Sequence, residues 1–439
     1  MKKIIFAIFL LPWYLNAQSF LISNIPLPKT YIQNLDPYPC DEVCMQEYLD
    51  NDMIFSFLSY ADVQLDNREL NDARMMNMSI LNLGSDLFSG QLRIAMLLPY
   101  KKIGRYASST TNAAFSYLIT KNHSFELKSY KIESESKEDI QDALDKIQED
   151  GFFYVIAPLT KNGADTVSQI NPEINIYFPT IHKQDINTTS PYLHYGAIDY
   201  EMQSRLLLKE AVTPLVIFRD KSSIGKKLSL YQEDEFKYKD VYVNDSNLSM
   251  NLDENMSFTI DSFSAQVTKP MRILEDNRTV VKFSIPRRVT NLEKQLLENE
   301  EINQGSFFIN TPVVKTGMIM SQLTLYDANA TNILSTQINY DPLLLSMTQY
   351  NDRKDMIIAN SITEHHNILI EANSLLSNDI VYDWINYSTT IGTDYFFNLI
   401  TDENREYDIA VEDNQMVYKV ELLRPVKSRF IKHISTLEE

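Results

Sequence analysis

The sequence has very little glycine, and this limits the ligands that it can bind. Only 10 of its 439 residues are glycine, against a usual share of ~7% in proteins. Neither the G-x-G-x-x-G pattern of dinucleotide-binding folds nor the G-x-x-x-x-G-K-[ST] pattern of P-loops occurs. We therefore expect no nucleotide held by a glycine-rich loop, and no motif indicates any other cofactor.

Cysteine is almost absent as well, since Cys40 and Cys44 are the only two. A metal site needs more ligands than this pair, and no histidine lies nearby. A redox pair more often has C-x-x-C spacing. One helical turn would bring the two Cα atoms to about 6 Å, which is within disulfide range. We expect a disulfide that fixes a local turn, because so short a loop removes little entropy from the unfolded chain.

Signals for catalysis are missing. No G-x-S-x-G and no H-E-x-x-H motif occurs. The neighbours His365 and His366 would point apart on a helix or a strand, so we expect no metal site there. Acidic runs such as residues 298–301 are typical of solvated faces, and nothing singles out a carboxylate pair for glycan hydrolysis. An enzyme is the least favoured class, and we predict no catalytic residue.

Positive charge is scarce, with 40 Lys and Arg against 59 Asp and Glu and a formal net charge of -19. Such a chain repels phosphate backbones and anionic lipid head groups, which argues against nucleic acid and membrane surfaces as partners. A basic protein surface or a cation fits this charge better. Simple solubility is the other explanation.

Long apolar runs are missing except near the start of the chain. Lys2 and Lys3 precede an apolar stretch over residues 4–11, and Ala17 suits a cleavage site. This pattern predicts a cleavable signal peptide over residues 1–17. The run is too short to cross a bilayer, so an uncleaved anchor is the less favoured alternative. We expect a mature protein exported to the periplasm, with no lipid anchor at Gln18 and no membrane insertion.

The remaining chain falls into a leading segment and an alternating body. Residues 18–90 start with an extended, proline-rich stretch and continue as helices. From Leu92 the apolar run LRIAMLL is typical of a buried parallel strand, and helical and strand-like stretches then alternate. We predict a first lobe over residues 91–199 that is built on a doubly wound parallel sheet.

The same alternation predicts a second lobe over residues 200–378. Residues 244–278 interrupt it with a Ser-, Asn- and Asp-rich insertion. Residues 379–439 then provide one long helix, expected over 380–399, and a hairpin that closes the two-lobed body. The predicted fold class is α/β, with two doubly wound parallel sheets and a short N-terminal helical segment.

Several stretches resemble the type I periplasmic-binding-protein fold. IAMLLPYKKIGRYASSTTNAAFSYLI, from Ile94, resembles its opening strand, which ends in Leu-Leu-Pro and leads into a Tyr-Ala helix start. FFYVIAPLTKN, from Phe152, resembles its third strand and the loop after it. YDIAVEDNQMVYKVELL, from Tyr407, resembles the end of the fold in the penicillin-binding-protein activator branch. The overall make-up also has a fainter similarity to periplasmic accessory proteins of polar flagellar motors.

This resemblance implies a ligand cleft between the lobes, at the carboxyl ends of the strands. Family members that hold amino acids usually offer small hydroxyls, free backbone amides and helix N-termini for the ligand carboxylate. Thr160 fits that description, whereas the bulky Lys101 and Lys161 do not. The matching positions in this sequence are Tyr100, Lys101, Thr160, Asn162, Arg219, Asn310, Tyr340 and Asp341.

One further stretch, Ser335–Ile362, mixes Leu, Met and Tyr with charged residues. The continuing alternation favours a strand, a short helix and another strand of the second lobe. A partner-docking surface is the alternative, because aromatic, Met and Arg side chains are enriched at protein interfaces.

Low glycine, charged cleft loops and the extra N-terminal segment favour a non-enzymatic scaffold or regulator. We expect it to bind protein partners in a cell-envelope machine, either the periplasmic structures of the flagellar motor or a peptidoglycan synthesis complex. A periplasmic receptor for a small ligand is the alternative. Residues 18–89 are expected to bind or orient a partner, because so short a segment buries its apolar side chains poorly alone.

Overall fold

The structure is a computed structural model, and it describes most of the two-lobed body. The described residues are 40–61, 65, 67–80, 92–121, 123–187, 190–241, 271–275, 277–286, 288, 291–297 and 302–434. The predicted signal peptide, the proline-rich lead-in and most of the predicted insertion lie outside them.

Three helices form a small cluster near the start of the chain: α1 (Glu42–Asp50), α2 (Ile54–Tyr60) and α3 (Arg68–Ile80). The side chain of Asp41 caps α1 by accepting a hydrogen bond from the Cys44 amide at 3.0 Å. The predicted disulfide between Cys40 and Cys44 is confirmed, with a Cα–Cα distance of 5.4 Å. The helices have a hydrophobic core of their own, formed by Met45, Phe57, Leu58, Ala61, Leu70 and Met78.

The first sheet begins directly after this cluster, and strands and helices alternate through it. The buried run LRIAMLL forms β1 as predicted, because a strand covered on both faces can be apolar throughout. Helix α6 begins where Ser136 accepts a hydrogen bond from the Asp139 amide. The elements in order are β1 (Leu92–Leu98), α4 (Tyr100–Ile103), α5 (Tyr106–Ile119), β2 (Phe125–Lys131), α6 (Lys137–Glu149), β3 (Tyr154–Ile156), α7 (Lys161–Ile170), β4 (Asn175–Phe178) and β5 (Leu193–Tyr195).

The next part of the chain builds a second sheet in the same way. Its elements are α8 (Tyr200–Leu208), β6 (Leu215–Arg219), α9 (Ser223–Lys237), β7 (Tyr238–Val241), β8 (Met271–Leu274), β9 (Val280–Ser284), α10 (Glu293–Leu297), β10 (Ser306–Asn310), α11 (Val313–Leu325), β11 (Asn332–Ser335), α12 (Pro342–Met347), α13 (Tyr350–Arg353) and β12 (Met356–Asn360). Strands β7 and β8 pair with each other as a separate antiparallel ribbon.

The last part of the chain returns to both sheets. Helices α14 (Asn367–Leu375) and α15 (Trp384–Thr401) precede β13 (Ala410–Glu412) and β14 (Gln415–Val417), which join the first sheet. Strands β15 (Glu421–Pro425) and β16 (Phe430–Lys432) join the second. The long helix starts four residues later than predicted, because the side chain of Asp383 accepts hydrogen bonds from the Ile385 and Asn386 amides.

Each sheet has seven strands and is parallel at its centre, so the predicted fold class is confirmed. The order is β13-β14-β5-β4-β3-β1-β2 in the first sheet and β16-β15-β12-β11-β10-β6-β9 in the second. The chain divides into two compact units, one ending at Ile198 and including Glu364–Val417, the other comprising Asp199–Thr363 and the remainder. Strand order reverses between β1 and β3 in the first unit, and between β6 and β10 in the second. Ligands of open α/β sheets bind at such switch points.

Helix α15 is buried in the first unit and fixed there by Tyr177. The Tyr177 hydroxyl donates to the backbone oxygen of Ser388 at 2.9 Å. A Cβ atom added to Gly196 or to Gly392 would lie 1.9 Å or 2.1 Å from this tyrosine side chain. Gly196 and Gly392 therefore allow helix α15 to pack closely against the first sheet, because a larger side chain at either position would clash with Tyr177.

Candidate functional site

The first-unit candidates follow the two strands that flank the switch point. Tyr100 and Lys101 begin α4, directly after β1 and Pro99. Thr160 precedes α7 and Asn162 lies in its first turn, after β3. All four residues therefore lie at the carboxyl-end edge of the first sheet.

A carboxylate of the chain itself occupies the start of α7. The backbone amide of Thr160 donates to Glu135 Oε1 at 2.7 Å, and the Thr160 hydroxyl donates to Glu135 Oε2. A helix N-terminus with a hydroxyl and a free amide is the arrangement that binds a ligand carboxylate. In this unit both donors are used by Glu135.

Gly163 makes room for that contact. A Cβ atom at Gly163 would lie 2.6 Å from Glu135 Oε1 and 3.0 Å from the Leu159 Cβ. A side chain at this position would therefore displace the carboxylate from the helix start.

The lysines of this edge are paired with acids of the same unit. The Lys101 ammonium lies 2.6 Å from Glu133 Oε2, and this hydrogen bond raises the pKa of Lys101 above its ordinary value. Lys161 pairs with Asp165 one turn along α7, at 2.8 Å. Lys101 and Lys161 therefore already have acidic partners within the chain.

In the second unit, Arg219 and Asn310 end the two strands that flank the switch point. Arg219 donates to the backbone oxygen of Asp220 at 3.1 Å. Asn310 is buried and forms a reciprocal pair of hydrogen bonds with Gln232 on α9, at 2.6 and 3.2 Å. Its amide is consequently directed into the unit's own packing.

A second buried amide group lies at the ends of β11 and β12. Gln203 on α8 donates to Ser361 Oγ at 2.7 Å and accepts from the Gln337 amide at 2.9 Å. The Gln337 side chain donates to Asn360 Oδ1 at 2.8 Å and accepts from the Ser361 amide at 2.6 Å. We call these side chains and the Asn310–Gln232 pair the amide cluster. In the amide cluster, buried polar groups at the carboxyl ends of β10 and β12 form hydrogen bonds with other side chains of the second unit.

Tyr340 and Asp341 also have contacts within the second unit. The Tyr340 ring is buried, with its centroid 4.9 Å from that of Phe430. Asp341 caps α12 by accepting from the Leu343 amide at 2.7 Å. The assignment of these eight residues to a ligand cleft stays a prediction.

Two polar atoms beside the amide cluster have no hydrogen-bond partner among the described residues. They are Thr336 Oγ1 and Asn339 Oδ1, both fully buried. In the described part of the chain, no group of three or more metal-binding side chains occurs. No described helix is long and apolar enough to span a membrane.

The sequence reasoning missed the residues that occupy these strand ends. Glu133 and Glu135 follow β2 directly, so the strand-end rule that selected Thr160 also applied to them. The glutamines of the amide cluster gave no such signal. Gln203 and Gln232 lie inside helices, and only the three-dimensional packing brings them to the strand ends.

The stretch Ser335–Ile362 has the structure favoured by its alternation, with β11 leading through α12 and α13 into β12. Arg353 is buried and donates to the backbone oxygens of Val426 and Lys427. Leu343, Met347 and Tyr350 are about 40% exposed. The docking alternative for this stretch stays a prediction.

Two parallel-centred sheets with switch points define the type I periplasmic-binding-protein-like fold, and solved structures agree. An ABC transporter substrate-binding protein from Sphaerobacter thermophilus is similar with a TM-score of 0.55 and 12% identity, over 79% of this chain and 97% of that one. A Rhodospirillum rubrum protein assigned to a branched-chain amino acid ABC transporter also has a TM-score of 0.55, with 10% identity over 78% and 100% of the chains. At such identities the similarity shows the fold alone.

LpoA from Haemophilus influenzae is a further similar structure, with a TM-score of 0.48 and 9% identity, over 90% of this chain and 73% of that one. A scan against models of known protein families gives no match, and a search of curated proteins gives none either.

Proposed function

We propose that this chain is a non-enzymatic, exported scaffold or regulatory protein that binds protein partners in a cell-envelope machine. The observation that carries the proposal is that Thr160 and Asn310, polar residues at the strand ends beside the two switch points, are engaged by other side chains of their own units. Glu135 fills the first-unit helix start, and the amide cluster fills the second-unit strand ends. A receptor for a small ligand would leave such donors free for its ligand.

The N-terminal helices supply the partner surface in this proposal. They have their own core and disulfide, and yet they expose large apolar side chains to solvent. Val43 is 76% exposed and Phe55 is 62% exposed. Aromatic side chains are enriched at protein interfaces, and Phe55 is a large exposed aromatic side chain of these helices.

The machine is a periplasmic structure of the flagellar motor or a peptidoglycan synthesis complex. The resemblance of the stretch from Tyr407 to the activator branch supports the second of these. The cleavable leader predicted over residues 1–17 supports export.

The test is co-purification of cross-linked envelope proteins with the wild-type chain and with Phe55→Ser. We expect Phe55→Ser to weaken capture of specific partners about 30-fold, because a central aromatic contact contributes roughly 2 kcal/mol or more. Leu375→Ser is the matched control, since Leu375 is 68% exposed on a helix of the body. Equal capture by both variants would contradict the role of the N-terminal helices.

A small-ligand receptor is the second candidate. It is favoured by the two buried atoms without partners, Thr336 Oγ1 and Asn339 Oδ1, which retain hydrogen-bonding capacity at the end of β11. The similar structure from Sphaerobacter thermophilus is a substrate-binding protein. A direct screen for small ligands by thermal shift separates the two candidates.

A further inference from the structure

Strand β2 is the longest of the four edge strands of the two seven-stranded sheets, as far as the structure describes them. It has seven residues, whereas β9 has five and β13 and β16 have three each. Its register with β1 is unbroken from Leu92↔Phe125 to Leu98↔Lys131. It contains no proline and no bulge, which are two of the features that usually protect an edge from pairing.

The hydrogen bonds with β1 show which backbone groups of β2 face outward. Ser124 accepts from the Leu92 amide at 3.1 Å, and Ile132 donates to the Leu98 oxygen at 3.0 Å. Even-numbered residues of β2 therefore pair with β1, and odd-numbered ones face away from it. Within the described chain, the outward amides and carbonyls have no hydrogen-bond partner; they belong to Phe125, Leu127, Ser129 and Lys131.

The charges on β2 are self-complementary in one antiparallel register. Glu126 and Lys128 are two residues apart, so their side chains lie on the same face of the strand. Within one copy, Glu126 already pairs with Arg93 at 2.8 Å and Lys128 with Asp150 at 2.7 Å. If two copies of β2 pair antiparallel about Leu127, Glu126 of each copy lies opposite Lys128 of the other, which extends these ion pairs into a row of alternating charges. Opposite charges in this position stabilise a strand pair, whereas like charges destabilise it. Pairing about Lys128 would instead place two lysines face to face.

The surface beside the strand is balanced in charge, although the whole chain has a net charge of -19. A groove of about 420 Å³ lies between β2 and α6. Its charged lining has three lysines and three acids: Lys128, Lys131, Lys146, Glu133, Asp139 and Asp142. A second copy of this acidic chain therefore meets no local excess of negative charge in this groove. A strongly acidic or a strongly basic partner would gain little electrostatic attraction at this groove.

We propose that the chain forms a twofold dimer in which the β2 strands of two copies pair antiparallel about Leu127. The pairing joins the two first-unit sheets edge to edge. It is independent of the function proposed above, since a scaffold and a receptor could each dimerise in this way.

The test measures the molar mass of the signal-free chain by light scattering or sedimentation over a concentration series. We expect the wild type to approach twice the chain mass as concentration rises. Glu126→Lys and Lys128→Glu should each remain monomeric, because each places like charges opposite one another. An equimolar mixture of the two variants should form dimers, since every cross-strand pair is then again of opposite charge.

The mixing experiment also controls for folding, because a misfolded variant would not recover a partner. Ser222→Ala, on the other unit, is the control that should dimerise like the wild type. A wild type that stays monomeric at all concentrations would overturn the proposal. Dimers that persist unchanged in both single variants would overturn it as well, as would a mixture that remains monomeric.

Discussion

At the scale of single residues, Glu135 is the side chain on which the proposed function depends most. Its carboxylate accepts from the Thr160 amide and hydroxyl at the start of α7, beside Gly163. The same helix start in a receptor of this fold would be open to a ligand carboxylate. Glu135 thus provides the carboxylate that a bound ligand would provide in a receptor.

Gly163→Ala tests this close approach. In most helices this change stabilises by about 1 kcal/mol, because alanine has the better helix propensity. Here we expect that gain to be cancelled, since the new Cβ would lie 2.6 Å from Glu135 Oε1 and would displace the carboxylate from the Thr160 amide. In a Glu135→Ala background the stabilisation by about 1 kcal/mol should return. Urea unfolding of the four chains measures both effects, and strictly additive changes would contradict the contact.

His194 connects the first sheet to α15 and gives the protein a sensitivity to acid. It is buried, its Nε2 lies 3.2 Å from Asn175 Oδ1, and its ring contacts that of Tyr395 at 5.2 Å. Burial lowers its pKa from 6.5 to about 4. The folded state therefore stays neutral at a pH where the unfolded chain takes up a proton.

Because the unfolded state binds more protons in that range, stability falls as the pH drops from 6.5 towards 4. We expect this residue to account for a loss of about 2 kcal/mol between pH 7 and pH 5. His194→Gln should flatten the curve of unfolding free energy against pH by that amount. Parallel curves for the wild type and His194→Gln would show that this histidine does not titrate differently on folding.

At the scale of elements, the amide cluster links α8 and α9 to the strand ends of the second unit. Gln232→Ala would leave Asn310 buried without its reciprocal partner. We expect a loss of about 2 kcal/mol, because a buried polar group left unpaired costs roughly 1–3 kcal/mol. Gln169→Ala, on the exposed face of α7, should change little. Chemical denaturation of both variants is the measurement, and equal midpoints would argue against the cluster.

Some strands and helices could be predicted from the sequence, and others could not. The apolar run LRIAMLL predicted a buried strand, and the structure contains it as β1. The short strand β5 was not predicted, because its three residues give no period of their own. The start of α15 was misplaced, since the capping by Asp383 is a local contact that hydrophobic spacing does not reveal.

The candidate site was less predictable than the fold for a physical reason. Strand ends can be located from the sequence, so Thr160 and Asn310 were selected. Whether a polar group there is free depends on side chains from elsewhere in the chain, such as Gln232, which is 78 residues from Asn310. The residues around Asn310 in the sequence therefore do not predict its pairing with Gln232.

At the scale of the whole molecule, the chain has a type I periplasmic-binding-protein-like fold in which Glu135 and Gln232 engage polar residues at strand ends beside the two switch points. Its charge of -19 disfavours nucleic acid and anionic lipid as partners. The N-terminal helices add a separate core with exposed apolar side chains. These features together support a protein that binds other proteins through surfaces outside the strand ends.

The most direct test of this claim is the melting temperature of the purified chain with the standard amino acids, sugars and muropeptides, each tested separately. A ligand at a hundredfold its dissociation constant adds about 2.7 kcal/mol of stability, which raises the melting temperature measurably. We expect no shift with any of these compounds. A clear and saturable shift with one of them would contradict the claim and would identify the chain as a receptor.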